Sequence, residues 1–371
     1  MSKILIIGAG VSGLTTALCL AREGYGVTVL SKDFSPNITS NVAGALWEWP
    51  PAVCGYHSDL ISLERSKEWC MTSYDKFYEL AQNKETGVYI RDVFFFFKDF
   101  VQNNDFHLHK MNELKTKVKG FCHDASLIRR EGINPKTGMV DAYCHEAPMV
   151  DTDIYMEWLL KEVLGLDVEV LQAEITETLS DIEEMLLEQY SCDYIVNCSG
   201  LGSIKLANED MYPLRGALVR IKNNGKKFPV LDKAYCVSFD EKTREQDIVF
   251  IVPRGENHVI LGALAEEGEW GTDISLDNYE PVRQMFERSK NFLPYLENAE
   301  LDETEPVRVG LRPFRKGNVR LDWETDTSII HNYGHGGAGV TFSWGCAEEV
   351  VAMINYRMYA DRKKASSVYA E

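Results

Sequence analysis

The chain has 371 residues, 45% hydrophobic and 26% charged, with a formal net charge of −18. That length predicts a large core and two domains. The acidic balance argues against nucleic-acid and anionic-membrane partners, which require a basic face.

The chain opens on a buried strand, Lys3-Ile-Leu-Ile-Ile7, a loop, Gly8-Ala-Gly10-Val-Ser-Gly13, and an apolar helix from Leu14 to Leu20. The loop reads G-x-G-x-x-G. Gly8 permits the tight turn, Gly10 lets a pyrophosphate approach the backbone, and Gly13 lets helix and strand pack closely. The helix points its first N–H groups and positive dipole end at the phosphates. A dinucleotide is expected, and the loop alone leaves NAD and FAD open. The apolar run Ile4–Leu20 is broken by glycines and too short for a comfortable membrane span. Nine cysteines, scattered without C-x-x-C, read as buried residues in a reducing compartment. The last residues carry no peroxisomal address. A cytoplasmic protein without a membrane segment is expected.

Val27–Leu30 predicts a second strand, ending in Ser31-Lys32-Asp33. An acid here would hold ribose hydroxyls in an NAD protein, but Asp33 comes late and Lys32 intrudes. In the next loop Thr39 and Ser40 offer hydroxyls, and Gly44-Ala45 is small enough for a cofactor to lie against. Residues 58–83 predict a helix with Leu60, Leu63, Trp69, Tyr74, Phe77 and Leu80 as its apolar stripe. Val93–Phe97 predicts a buried strand. Residues 100–145 resist assignment, and His107, His109, His123 and His145 lack metal-ligand spacing, so no metal is expected.

Asp153–Leu164 predicts a helix started by Asp151, then a strand over Asp167–Leu171. Glu174–Tyr190 is an acidic surface. Asp193–Gly202 predicts another buried strand running into a small-residue turn. Val249–Pro253 and His258–Gly262 predict a hairpin, and Gln284–Leu296 a helix. Val307–Phe314 returns to the core. Ile329–Gly345 leads into a helix through Met353, with a frayed tail beyond Asp361. Phosphate-loop signals thus fall at the start, middle and end, with strand-rich material between. The expected architecture is α/β: a Rossmann-like domain from 1–50, 147–211 and 303–360. A substrate domain of α+β type, with a mostly antiparallel sheet, takes 51–146 and 212–302, and 361–371 is a tail.

Four segments together resemble the D-amino-acid oxidase family of flavoproteins: Gly8–Gly13, Val196-Asn-Cys-Ser-Gly-Leu-Gly202, Gly310-Leu-Arg-Pro313, and His331-Asn-Tyr-Gly-His-Gly-Gly-Ala-Gly-Val-Thr341 with Trp344-Gly-Cys346. The resemblance implies FAD in an extended form. Carried over by position, Gly8, Gly10, Gly13, Thr39 and Ser40 would hold the pyrophosphate, with Val11, Lys32, Asp33, Ile175, Ser199 and Gly200 on the same cofactor. Gly44, Ala45 and Leu46 would line the isoalloxazine. Gly336, Gly339, Val340 and Thr341 would meet its pyrimidine edge, where N–H groups at a helix start stabilise negative charge.

The resemblance also implies that Arg312 holds the substrate carboxylate, for which a planar guanidinium fork is suited. The Gly337 carbonyl would accept from the substrate amine. Arg308 and Arg315 read as structural ion pairs. The Cα hydrogen would leave as hydride to the flavin with no obligatory catalytic side chain. The imine would hydrolyse to a 2-oxo acid and ammonia, and molecular oxygen would become hydrogen peroxide. Three departures bear on the substrate. Phe250 stands where the family places a tyrosine, removing a donor that Tyr235, Tyr212 or Tyr56 could replace. Glu48 stands where an uncharged amide is familiar; facing the pocket it would favour a basic or amino-bearing substrate, and otherwise it is a rim residue. Ala338 replaces a bulky aromatic. The competing expectations are a flavin dehydrogenase or a biosynthetic oxidase acting on a modified amino acid, glycine or an N-substituted amino acid. A flavin-carrying binding protein and an NAD dehydrogenase complete the alternatives. A homodimer is an open option.

Overall fold

The computed structural model describes residues 2–51, 57–237 and 248–368, with side chains to residue 363. Two sheets organise it. The first has six strands in the order Arg320–Trp323, Ile329–Tyr333, Tyr194–Asn197, Lys3–Ile7, Gly26–Ser31, Glu169–Gln172. Its neighbours run parallel except Arg320–Trp323, which pairs antiparallel with Ile329–Tyr333. Its inner strands are short, largely apolar runs because helices cover both faces, while the edge strands Arg320–Trp323 and Glu169–Gln172 carry polar residues. This is the Rossmann-like layer, assembled from separated stretches of chain.

The second sheet runs Glu266–Glu267, Met211–Lys222, His258–Gly262, Val249–Arg254, Ala234–Val237, Val88–Phe97, Asp141–Val150, Cys122–His123. All its pairs are antiparallel except Ala234–Val237 against Val88–Phe97. Val307–Arg315 joins it, pairing with Met211–Lys222 from Val307↔Val219 to Arg315↔Met211. That strand carries Arg312, so the returning segment after residue 303 first completes this sheet. The hairpin forms as expected, with Phe250 opposite Gly262.

The main core lies between the parallel sheet, the helices Val11–Arg22, Leu60–Leu80 and Gly339–Val368, and one face of the second sheet. A second core packs Glu280–Phe292 on that sheet's other face. Gly345 permits a close helix–helix contact: a Cβ there would lie 2.2 Å from the Trp69 Cα.

Several boundaries differ from expectation for local reasons. Asp59 caps Leu60–Leu80 by accepting from the Ser62 N–H, and Leu60 is 77% exposed, so the apolar stripe begins later. Positive φ at Asp167 delays the next strand to Glu169. Pro281 at the helix start moves the last substrate-side helix forward to Glu280–Phe292. The unassigned region contains a helix, Asp105–Leu114, capped by Asn104. The terminal helix runs to Val368, through the start of the expected tail. No described helix is long and apolar enough to cross a membrane.

His145 is fully buried beside Phe95, Tyr143 and Trp47, and its Nδ1–H donates to the Glu146 carbonyl. Burial pushes its pKa down to about 4. The unfolded chain therefore takes up the proton first as pH falls below about 6.5. Stability is full above that value and declines toward about pH 4. At about pH 5 the loss is on the order of 2 kcal/mol from this group. Urea midpoints at neutral and acid pH should show it, and His145→Gln should reduce the difference by this group's share, with buried His331 and His335 supplying the rest.

Candidate active site

An elongated cavity of about 610 Å³ runs from the end of the parallel sheet to the second sheet. At one end stand Gly8, Gly10 and Val11. A Cβ on Gly8 (φ +110°) would lie 2.6 Å from the Cys198 carbonyl oxygen. Gly10 faces the cavity, and the Ser40 hydroxyl accepts from the Val11 N–H at 2.9 Å. Thr39 donates to the Leu311 carbonyl at 3.3 Å. Lys32 and Asp33 form an exposed rim with Glu174, and Ile175, Ser199 and Gly200 complete this part of the wall. Of the residues expected on the cofactor, Gly13 alone stands off the wall. It packs helix on strand, its Cβ position lying 1.9 Å from the Gly8 carbonyl oxygen.

Further along, Gly44, Ala45 and Leu46 line the cavity. Ala45 has φ +49° and is held there because its carbonyl accepts from the Val150 N–H at 2.9 Å. The Trp47 N–H donates to Pro148 at 2.9 Å. Fully buried Arg254 donates to the Ala43 carbonyl and the Thr152 hydroxyl, and Thr152 donates to the Asn41 carbonyl at 2.7 Å. Burial lowers the Arg254 pKa to about 10. The wall segment 41–46 is thus clamped from three elements, the strands Asp141–Val150 and Val249–Arg254 and the helix Thr152–Leu164.

Opposite it, Ile329–Tyr333 ends in Gly334, His335, Gly336, Gly337 and Ala338. Gly339, Val340 and Thr341 begin a long helix whose N-terminus is part of the wall. Gly334 (φ +83°) and Gly336 (φ +56°) supply turns that side chains resist. Two buried polar atoms on cavity-lining residues, Asn332 Oδ1 and His335 Nε2, have no hydrogen-bond partner among the described residues. Burial holds His335 neutral, with a pKa near 4. Orphaned polar atoms of this kind are satisfied by a bound group or water. The glycine cradle, the helix N-termini and these orphans fit FAD.

Arg312 enters from Val307–Arg315 and lies flat on Gly216. A Cβ on Gly216 would come within 2.4 Å of both terminal guanidinium nitrogens. Its Nη1 donates to the Leu264 carbonyl at 3.1 Å, and no described carboxylate pairs with it. The other arginines of this strand are occupied: Arg308 by Asp153 (2.8 Å) and Glu305 (2.6 Å), Arg315 by Glu209 (2.9 Å). Gly337 is on the same cavity wall.

Phe250 lines the cavity with its ring against Gly44, whose Cβ position is 2.8 Å from two ring carbons. Tyr235 does not replace the missing hydroxyl, since it is buried with its OH on Glu131 at 3.1 Å. Tyr212 packs on Phe314 away from the wall, and Tyr56 lies outside the described residues. Tyr333 is the cavity's one described tyrosine, and its OH is bound by Glu209 and Arg320. Glu48 does face the cavity, and Lys110 Nζ donates to its Oε1 at 2.9 Å.

Sequence reasoning missed Gly216, Lys110, Phe95, Leu218 and Cys236. A glycine beside Arg215 in strand-rich sequence was the one available signal. Lys110 sits in a helix that the sequence left unassigned.

A model of the FAD-dependent oxidoreductase family, DAO, matches residues 3–353. The D-amino-acid oxidase of Rubrobacter xylanophilus is 30% identical over 357 residues, 95% of this chain and 96% of that protein. The D-amino-acid oxidase of Dictyostelium discoideum is 29% identical over 362 residues, 95% of this chain and 91% of its own. The glycine oxidase structure from Bacillus cereus superposes with a TM-score of 0.72 at 16% identity, covering 96% of each chain. That likeness is one of fold. Matched by that family model over nearly its whole length and 30% identical to a relative across 95% of it, this chain belongs to the D-amino-acid oxidase family of FAD-dependent oxidoreductases.

Proposed function

We propose that the protein oxidises a D-amino acid at Cα to the imine, which water hydrolyses to a 2-oxo acid and ammonia while molecular oxygen is reduced to hydrogen peroxide. The observation that carries this reading is Arg312, a cavity guanidinium without a carboxylate partner among the described residues, seated on Gly216. Its relatives' activity on D-amino acids supports the same substrate class. When bound, FAD supplies the two-electron acceptor that the side chains lack.

In this reading Gly8, Gly10, Val11, Thr39 and Ser40 hold the pyrophosphate, and Lys32, Asp33 and Ile175 border the adenosine end. Gly44–Leu46 and Gly336–Thr341 enclose the flavin. Arg312 binds the substrate carboxylate through its planar fork. The Gly337 carbonyl accepts from the neutral amine, which fixes the Cα–H direction. Phe250 and Leu218 exclude water beside them. No cavity side chain is required as a base at Cα.

The test is anaerobic mixing with a D- and L-amino-acid panel, followed by admission of oxygen. Flavin bleaching with D-amino acids and one peroxide per 2-oxo acid supports the reading. Bleaching without peroxide assigns another electron acceptor. No bleaching by any amino acid overturns it. Phe250→Tyr restores a donor on the wall and should lower KM for simple D-amino acids by roughly 3- to 10-fold. Steady-state kinetics check this; an unchanged KM means another group already serves the carboxylate.

A further inference from the structure

Glu48 shares the cavity with the uncharged Phe95, Leu218, Cys236 and Phe250, and Phe95 and Phe250 both stand opposite Cys236 in the sheet register. Glu48 is half-buried, with its side chain 19% exposed. Its Oε1 is taken by Lys110 Nζ, which also donates to the Pro51 carbonyl at 2.9 Å. No described residue donates to Oε2. The carboxylate is therefore fixed in position and already neutralised as a pair, with one acceptor oxygen left over beside an apolar and aromatic wall.

From this geometry we infer that Glu48 determines substrate specificity by accepting a hydrogen bond from an uncharged donor, such as an amide N–H or a hydroxyl, on the substrate side chain. The inference rests on the amino-acid reading of the site. Electrostatics separates the possible side chains. An ammonium on Oε2 would stand roughly 5 Å from the Lys110 ammonium, close enough for like charges to repel strongly in a partly buried site. That cancels most of its attraction to Glu48. A carboxylate side chain would meet Oε2 directly and be repelled. An apolar side chain would strip water from Oε2 and leave it unbonded, a desolvation cost with nothing to offset it. A neutral donor satisfies the oxygen without adding charge, and its methylenes or ring contact Phe95, Leu218 and Phe250. A basic substrate, the first implication of an acid at this position, is thus disfavoured by Lys110.

The experiment measures binding to the FAD-loaded enzyme, so turnover is not needed. The probes are the desamino carboxylate analogues of glutamine, methionine, lysine and glutamate, titrated by the change in flavin absorbance. The glutamine analogue should bind wild type roughly tenfold tighter than the methionine analogue. Lys110→Met leaves Glu48 uncompensated, and the lysine analogue should then gain roughly tenfold and become the tightest. The double variant Glu48→Met, Lys110→Met removes the pair together, leaves no lone buried charge, and should favour the methionine analogue. The inference is overturned if the lysine or methionine analogue binds wild type best, or if the double variant keeps the preference for the amide. If these rankings hold while no D-amino acid bleaches the flavin, the pocket inference stands and the oxidase reading falls.

Discussion

Arg312→Leu should lower kcat/KM by roughly 30- to 5,000-fold while FAD stays bound. The estimate is the loss of about 2–5 kcal/mol when one partner of a desolvated, hydrogen-bonded charge pair is removed. Three features isolate the effect from folding. Arg312 has no described carboxylate partner, so its removal strands no buried charge. Its loss leaves the Leu264 carbonyl without this donor, worth about 1 kcal/mol. The glycine cradle lies at the other end of the cavity. The flavin spectrum and thermal midpoint should therefore change little while KM rises steeply. Arg312→Lys keeps the charge but loses the planar fork, so its recovery should be partial. Gly216→Ala gives an independent check: the new methyl would sit 2.4 Å from the terminal nitrogens and must push the flexible guanidinium aside. It should reproduce the rise in KM with Arg312 still present. Near-normal kinetics in both variants would remove Arg312 from the carboxylate site.

The contrast between Arg312 and Gly216 shows what the sequence could and could not convey. Arg312 stood in Gly310-Leu-Arg-Pro313, a local pattern with a local reading. Gly216 lies almost a hundred residues earlier, and its role exists only because antiparallel register brings Leu214 opposite Arg312 and Gly216 opposite Gly310. The glycine loops were legible for the same reason as Arg312: each is a short contiguous device at a strand–helix junction. Glu48 was visible as an unusual residue, yet its electrostatic meaning depended on Lys110, whose helix carries only a weak apolar pattern. The central Rossmann strands were legible as apolar runs, but the edge strand Arg320–Trp323, with two charges in four residues, was not. The addition of Val307–Arg315 to the other sheet was not, because strand pairing over long separations leaves no periodic mark.

Gly13→Ala should cost both folding stability and FAD. A Cβ there would lie 1.9 Å from the Gly8 carbonyl oxygen and 2.9 Å from its carbon, backbone atoms that cannot rotate away. Gly8 cannot retreat either, because its own Cβ position is 2.6 Å from the Cys198 oxygen, and strands Lys3–Ile7 and Tyr194–Asn197 are paired at that point. The helix Val11–Arg22 must shift instead, against a core that includes Leu14, Ala17 and Leu18. Overpacking of this kind costs typically about 1–3 kcal/mol, and more where backbone is the obstacle. The same shift moves the N–H groups proposed to hold the pyrophosphate, so the stabilisation FAD gives by binding the folded state should decline as well. Gly10→Ala separates the two effects. Its Cβ would approach only the Ser40 hydroxyl, at 3.3 Å, so the apoprotein should fold normally while the methyl intrudes on the cavity. Thermal midpoints of the apoproteins and FAD titrations read the outcome: Gly13→Ala should fall in both, Gly10→Ala only in FAD affinity, by roughly tenfold or more. A Gly13→Ala protein that purifies yellow with an unchanged midpoint would mean the helix and strand have room that the Gly8 carbonyl does not leave.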